Sequence, residues 1–573
     1  MSDTWQLVGR ATTFGALAEQ VKGLSGVEVV DRHLVQRVLL DTFDWRLHRE
    51  GIVLEVERTA AAETLLARSL EGAVLGHQVI DRAPVFAADL PPGRVRDLIG
   101  EALEMRTLIE LVRVDSTRER LVRRNEDDKI VARLALERLR VGSFELDPRI
   151  EVEPLRGYTR EARTLVTSLL GGLPVDVLDP AQGIAALFAA GDREPRSYSG
   201  KFKVKLKPQA PPAASMAKLL LHLLDTMEVN EDGVREGIDT EYLHDFRVAI
   251  RRTRSLLPVA RRCIRDTEAL DGFIAEFRVF VQPTGDVRDL DVFLLGFDEL
   301  AGGVAPEWRG DLAKLEPLIA KERARAQRRL LTVLRRDWPD LKQRWRTYLE
   351  AEAAIARHGA ATGGVVATGG DAETDEAPAG AGRSAERSDA FARDAVADAL
   401  KVLRKHGRRL TDHSPAEDIH RVRKKAKALR YVLEAFASLL PAEHLAPATK
   451  ELKKFQDVLG LFQDRDVQVH TMRGYTELVQ RQGTADPDLL LAMGALRAHV
   501  RDDAERERVH CLAAFATFDA KDNHRRYLAL VAPPEPAEPP EQPAAENGRA
   551  DLPSTEPTST EPTSTAPAPE SPA

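Results

Sequence analysis

LHDFRVAIRRTRSLL (Leu243–Leu257) and IHRVRKKAKALRYVL (Ile419–Leu433) are two copies of one pattern, their histidines 176 residues apart. Each copy sets basic residues at offsets 3, 7 and 10 from its histidine. On a helix of 3.6 residues per turn these offsets fall within about 80° of arc. His244, Arg247, Arg251 and Arg254 therefore share one face. His420, Arg423, Lys427 and Arg430 share it in the second copy, with Lys424 beside them. Apolar residues follow in register, Phe246, Ile250 and Leu257 against Val422, Ala426 and Leu433. The spacing predicts two helices that each bury one side and present a row of cations beside it. Such a surface suits a ligand that is itself a row of anions.

A second motif repeats at the same remove. FRVFVQPTGDVRDLDVFLL (Phe277–Leu295) carries Gly285, Asp289 and Asp291, and LKKFQDVLGLFQDRDVQVH (Leu452–His470) carries Gly460, Asp464 and Asp466. His244 precedes Asp291 by 47 residues and His420 precedes Asp466 by 46, so one helical unit occurs twice, stacked about a pseudo-two-fold axis. The glycines are expected at a helix end or tight turn, where a left-handed backbone is needed. The carboxylates could bind a metal, but no histidine stands near them to complete a site. Pairing with the arginines of the stripe is the expected role.

These strings resemble the CHAD family, a histidine-containing α-helical domain of two similar four-helix bundles. The resemblance rests on H-x-x-R-x-x-x-R-R-x-R from His244, K-A-L-R-Y at Lys427–Tyr431, G-x-x-R-D-x-D-V from Gly285 and LKKFQDVLG from Leu452 to Gly460. It covers roughly residues 212–530 and implies binding of inorganic polyphosphate in a basic cleft or pore between the bundles. Ile250 and Arg252 are answered by Ala426 and Ala428, so the halves are unequal.

The chain of 573 residues is 43% hydrophobic and 30% charged, with a formal net charge of −8, and is no general coat for nucleic acid. Its cations are concentrated instead. Residues 419–430 hold six lysines and arginines and no carboxylate. Lys401, Arg404, Lys405 and Arg408 form another one-faced set, and residues 321–346 hold ten basic side chains against three acidic. Local positive stripes on an acidic protein favour a selective polyanion site. Aromatic residues are 5% of the chain, and only Tyr431 adjoins the stripes. That favours a phosphate-only ligand over nucleic acid, which is read with stacking platforms. Nonspecific nucleic acid stays open as a competitor. Two cysteines make neither a disulfide framework nor a zinc site, and no apolar run has the length of a membrane span. The expectation is a cytoplasmic protein, associated with polyphosphate granules, with no cofactor, no membrane partner and no catalytic or metal-binding residue.

Before residue 200 the periodicity changes. Gly51–Arg58 puts Ile52, Leu54 and Val56 on one face and Val53, Glu55 and Glu57 on the other. Ala132, Leu134 and Leu136 oppose Arg133, Ala135 and Glu137, and Ile150 and Val152 oppose Glu151 and Glu153. Charges of both signs on the second face suit an antiparallel β-barrel with a polar interior. Helical stretches are expected at Phe14–Lys22, Pro92–Glu101 and Tyr158–Leu170. This segment resembles the CYTH family, the triphosphate tunnel fold, through LLDTFDWRLHREGIVLEVER (Leu39–Arg58), STRERLVRR (Ser116–Arg124) and IEVEPLRGY (Ile150–Tyr158). Triphosphatases of that family carry glutamate-x-glutamate-x-lysine on the first strand. Here that stretch is WQLVGR (Trp5–Arg10), which offers only Arg10, and Glu55 stands where the pattern has a basic residue. Arg118, Arg120, Arg133, Glu57, Glu137, Glu151 and Glu153 could still line a tunnel. Without the acidic pair the domain is expected to be degenerate. Metal-dependent triphosphate or polyphosphate hydrolysis is the competing function.

The expected organisation is α+β barrel then all-α: a CYTH-like domain at 1–200, a linker at 201–215, a first bundle at 216–357 and a second at 389–532. Residues 358–388 and 533–573 are expected to be disordered from composition, the latter a Pro/Glu/Ser/Thr-rich tail that could recruit protein partners. KFKVKLK (Lys201–Lys207) alternates lysine with apolar residues, as in a last strand or an added anion contact; the strand is the expectation.

Overall fold

The computed structural model describes residues 4–361, 387–484 and 486–533. An antiparallel sheet domain is followed by a helical one. The strands are β1 (Trp5–Gly9), β2 (Val27–Asp41), β3 (Ile52–Arg58), β4 (Glu63–Ser69), β5 (Val74–Ile80), β6 (Ile109–Arg124), β7 (Ile130–Val141), β8 (Phe144–Pro154) and β9 (Val175–Val177). They form one sheet in the order β5-β4-β3-β2-β6-β7-β8-β1-β9. Five helices belong to this domain: α1 (Phe14–Lys22), α2 (Arg46–Arg49), α3 (Arg94–Leu103), α4 (Thr159–Gly172) and α5 (Pro180–Ala190).

The alternation read in the sequence decides which face of the sheet is covered. Ala132, Leu134 and Leu136 of β7 and Ile150 and Val152 of β8 are buried under α1 and α4. Ile52, Leu54 and Val56 of β3 are buried with Val95, Ile99 and Leu103 of α3. The opposite face, with Glu55, Glu137 and Glu151, borders a cavity that Ile184 and Leu187 of α5 wall off. Arg120 and Arg133 turn away from it, to Asp31 and Glu153 respectively.

The helical domain comprises α6 (Pro212–Glu236), α7 (Thr240–Ala260), α8 (Thr267–Leu295), α9 (Phe297–Gly302), α10 (Pro306–Leu312), α11 (Leu315–Arg336) and α12 (Trp338–Ala361), then α13 (Ser388–Gly407), α14 (Ala416–Ala435), α15 (Ala442–Gln482), α16 (Pro487–Phe518) and α17 (Lys521–Val531). In the first half α6 packs on α7 and α12, and α8 on α7 and α11; in the second α13 packs on α14 and α17, and α15 on α14, α16 and α17. The matched apolar residues of α7 and α14 are all buried in one core that runs through both halves. A smaller core joins Phe293, Leu312 and Ile319 to Met472, Leu489 and Leu496, again across the halves. The stripe helices α7 and α14 pack on each other.

Three expectations are corrected. Gly285 and Gly460 end no helix, because α8 and α15 run through them. Lys201–Lys207 adds no strand to the sheet. It is an extended strap that buries Phe202 and Leu206 in the helical core and leaves Lys201, Lys203, Lys205 and Lys207 exposed. Ser438 fixes it, its hydroxyl accepting from Leu206 N at 3.0 Å and donating to Val204 O at 3.1 Å. Finally, both ends of the expected 358–388 loop are described: α12 continues through residues 358–361 and α13 starts at Ser388, which is buried. The remainder of the expected loop, 362–386, and the tail from 534 lie outside the described residues.

The two domains meet at a buried charge cluster. Arg106 is 2% exposed and ion-pairs with Asp44 at 3.3 Å, Asp239 at 3.4 Å and Asp245 at 2.9 Å. Asp239 also caps α7, accepting from Glu241 N at 2.9 Å and Tyr242 N at 3.1 Å, and it accepts from Thr107 N at 3.1 Å. Tyr198 donates its hydroxyl to Asp245 at 3.0 Å. The sheet domain thereby grips the first turn of a stripe helix.

Candidate anion-binding site between the helical halves

Burial of the apolar face of α7 and α14 leaves their adjoining face half-buried, and there the cations of the two copies converge. Lys427 feels Arg251, Arg423 and Arg247, and Arg423 feels Arg251, so the rows from both halves face one another across the α7–α14 contact. Two carboxylates answer them symmetrically. Arg247 lies 3.7 Å from Asp289, and Arg423 lies 3.7 Å from Asp464. Both aspartates keep two-thirds of their side-chain surface in solvent, so each tethers its arginine from the outside without neutralising the cluster. The expected pairing of these carboxylates with the stripe is present. Asp291 instead accepts from Arg323 of α11 at 2.8 Å. Asp466 lies 3.8 Å from His470 one helical turn on, which corrects the expectation that no histidine stands near these carboxylates.

The cluster is under-compensated. Among the described residues neither Arg251 nor Lys427 has an ion pair, and Nε of Arg251 and of Arg423 are buried with no acceptor. Burial, reinforced by the three arginines, holds the Lys427 ammonium down to about 7, with only Asp464 opposing. Burial also lowers Arg247 and Arg423 from the ordinary arginine value. Such positions favour an anion that supplies the missing charge and accepts the free donors.

The histidines differ. His244 is pushed to about 4 by burial and then by Arg288, Arg251, Arg106 and Arg247, so it is neutral near pH 7. His420 donates Nδ1–H to the amide oxygen of Gln463, and burial lowers it too. Arg288 and Gln463 occupy equivalent positions, each just before the paired aspartate. Arg288 is a site residue that the stripe pattern does not include, because it comes from α8. Its guanidinium is held by Thr240 O at 3.3 Å and Glu241 at 3.4 Å. Arg278 of α8 likewise approaches Arg254, and its counterpart in α15 is Lys453. Both were legible as basic residues of the second motif.

The remaining stripe residues are placed differently. Arg254 and Lys424 are exposed along the cluster's edge. Arg430 is engaged by Glu434 at 2.7 Å, and Glu434 also accepts from Arg252 of α7 at 2.9 Å, so these residues bridge the halves. On α13, Arg404 and Arg408 share Asp519, while Lys401 and Lys405 are exposed. No described contact joins this set to the central cations. Gly285 has a packing role: a Cβ there would lie 2.5 Å from Nη1 of Arg247, so glycine lets that guanidinium lie against α8 and a larger residue would push its flexible end aside. Gly460 faces open space.

No curated protein matches the chain. Among solved structures it is similar to a CHAD domain from the plant Ricinus communis, at 22% identity over 55% of this chain and 94% of that one, with a TM-score of 0.43. It is similar to PptA from Streptomyces chartreusis at 17% identity over 53% and 99%, with a TM-score of 0.36. An adenylyl cyclase candidate from Hippeastrum with dominant triphosphatase activity aligns at 17% identity over 35% and 100%, with a TM-score of 0.26. The profile of the CHAD domain family matches residues 218–473, which include both stripes and both aspartate motifs. Over residues 218–473, a little under half of its length, the chain is similar to CHAD domains.

Proposed function

We propose that this protein binds inorganic polyphosphate, without catalysis, in the cleft between its two helical halves. The observation that carries the reading is the convergence of Arg247, Arg251, Arg423 and Lys427, whose ion pairs among the described residues are those of Arg247 with Asp289 and of Arg423 with Asp464. Each helix repeats its cations at about 5.4 Å per turn, so a flexible chain of phosphates can be engaged by both rows at once. His244, Arg254, Arg288, His420 and Lys424 extend the footprint along the same face. The halves act as two four-helix bundles, α6, α7, α8 and α11 with α12 and α13 to α16 with α17. The sheet and α5 form a CYTH-like tunnel that serves as a docking scaffold. A cytoplasmic setting beside polyphosphate granules fits a phosphate-only ligand. No helix among the described residues is long and apolar enough to cross a membrane.

The test is calorimetric titration with long-chain polyphosphate and with single-stranded DNA of matched charge, at two salt concentrations. Tight polyphosphate binding that outlasts DNA binding at high salt is expected, since clustered half-buried cations are screened less than exposed ones. Replacing Arg247, Arg251, Arg423 and Lys427 together by Gln should abolish it while the helical circular dichroism persists. Equal, steeply salt-sensitive binding of both polymers would reduce the stripes to a general polyanion surface.

A further inference from the structure

The cavity of the sheet domain has a chemistry that neither helical stripe shares. It offers about 80 Å3 between the strands and α5 and is partly open to solvent. Four arginines line it, Arg37, Arg68, Arg118 and Arg149, against the glutamates Glu55, Glu137 and Glu151. Two of the glutamates are already engaged: Glu137 by Arg37 at 3.2 Å and by Arg118 Nε at 2.7 Å, Glu55 by Arg68 at 3.0 Å. Burial raises Glu151 towards its neutral form, with Glu137 adding to the effect.

A divalent cation does not fit this donor set. The first strand contributes Gln6 to the lining where the CYTH pattern has a carboxylate, and the engaged glutamates are committed to guanidinium groups. Among the described residues no three acidic, histidine or cysteine side chains are grouped to hold a metal. An engineered cavity of about 150 Å3 takes benzene, and the space here is roughly half that, enough for an ion of about five heavy atoms.

The cavity is nevertheless short of negative charge. Arg149 has no ion pair among the described residues, and its one hydrogen bond goes to Gly183 O at 2.9 Å. Burial and then the neighbouring Arg37 hold it down to about 10. Arg37 itself is only 9% exposed, and its Nε–H is buried with no acceptor. A half-buried cation without an ion pair and a buried donor without an acceptor are both costly, and one anion that reaches them relieves both.

We infer that the sheet domain is a metal-independent receptor for a single small oxyanion, held between Arg149 and the free Nε–H of Arg37. Its apolar side, from Leu39, Val53 and Leu187, admits either a short carboxylate or orthophosphate. The inference is independent of polyphosphate binding by the helices.

The experiment is titration calorimetry of the full chain with sodium orthophosphate and, separately, sodium acetate, in EDTA at fixed ionic strength. The helical site is common to all variants, so Arg149→Gln isolates the cavity. One saturable site is expected in the wild type, weakened at least tenfold by Arg149→Gln and largely kept by Arg149→Lys. Ala135→Leu fills the cavity without changing charge, and should abolish the same site even if the arginine variant folds poorly. Tighter phosphate than acetate binding identifies orthophosphate as the occupant, and the reverse identifies a carboxylate. Binding that requires Mg2+, binding unchanged by Arg149→Gln and Ala135→Leu, or no saturable binding of either ion would overturn the inference.

Discussion

Polyphosphate affinity should fall as pH rises through neutrality, and Lys427 sets both the sign and the size of the effect. In the free protein its ammonium is held to about 7 by burial and by Arg251, Arg423 and Arg247. A bound polyanion supplies the opposite charge, so the group returns toward its ordinary value of about 10.4. Above pH 7 binding must therefore draw in one proton. Affinity drops about tenfold per pH unit, or about 30-fold between pH 6 and pH 8.5. His244, at about 4 in the free protein and returning at most toward its ordinary value of about 6.5 when bound, adds no slope above pH 7. Long chains make the titrating end phosphates a negligible fraction of the ligand.

Folding stability should move the other way. The unfolded chain binds the Lys427 proton up to about pH 10.4 and the folded one only to about 7, so this residue's contribution to stability rises with pH between those values. Opposite slopes for binding and stability separate this effect from general unfolding. Calorimetric affinities at four pH values, in two buffers of different ionisation enthalpy, give both the slope and the proton uptake. Lys427→Arg keeps the charge but does not titrate, and should bind with a flat profile. A flat wild-type profile, or a slope that survives in Lys427→Arg, would refute the reasoning.

Arg106→Leu strands Asp44, Asp239 and Asp245 without their shared cation, and should cost roughly 3–5 kcal/mol in thermal or denaturant unfolding. Gly285→Ala pushes the Arg247 guanidinium aside and should weaken polyphosphate binding several-fold on the same calorimetric titration. Gly460→Ala, facing open space, should leave affinity unchanged and stabilise its helix by up to ~1 kcal/mol. Arg288→Gln removes the leading cation beside His244, so an NMR titration should show the His244 value rising from about 4. A value that does not move would assign the depression to burial and the remaining arginines.

The legible parts were those written in local periodicity. The helical offsets from His244 and His420 placed both stripes and both buried faces, and duplication fixed their register. Strand alternation in β3, β7 and β8 likewise sorted covered from cavity-facing residues. What stayed hidden depended on distant partners. Arg106 reads as an ordinary surface arginine until Asp239 and Asp245, more than 130 residues later, are folded against it. Gly285 reads as a helix stop because sequence cannot show that a guanidinium from another helix lies against it. The strap at Lys201–Lys207 has true strand alternation, but its apolar side found the helical core before any free sheet edge. Arg430 and Arg408 sit on the predicted faces, yet Glu434 and Asp519 reach them from elsewhere in the fold.

The inequality of the two halves follows from where the sheet domain docks. Cations face each other across α7 and α14 with little compensation, which destabilises the free protein and must be offset elsewhere. The first half carries an added cation beside its histidine, because Arg288 stands where the second has neutral Gln463. That half is also the one whose stripe helix begins under the Arg106 cluster. Asp239, Glu241 and Asp245 crowd the first turn of α7, close to His244 and Arg288, and complement the positive helix end. Their own mutual repulsion is relieved by Arg106, which the sheet domain supplies. The second half needs no such brace: Gln463 steadies His420 by a neutral hydrogen bond, and no sheet domain touches α14 through a comparable cluster among the described residues. The sheet domain thus contributes to the candidate anion site without reaching it, by stabilising the first turns of the helix against which Arg288 is mounted.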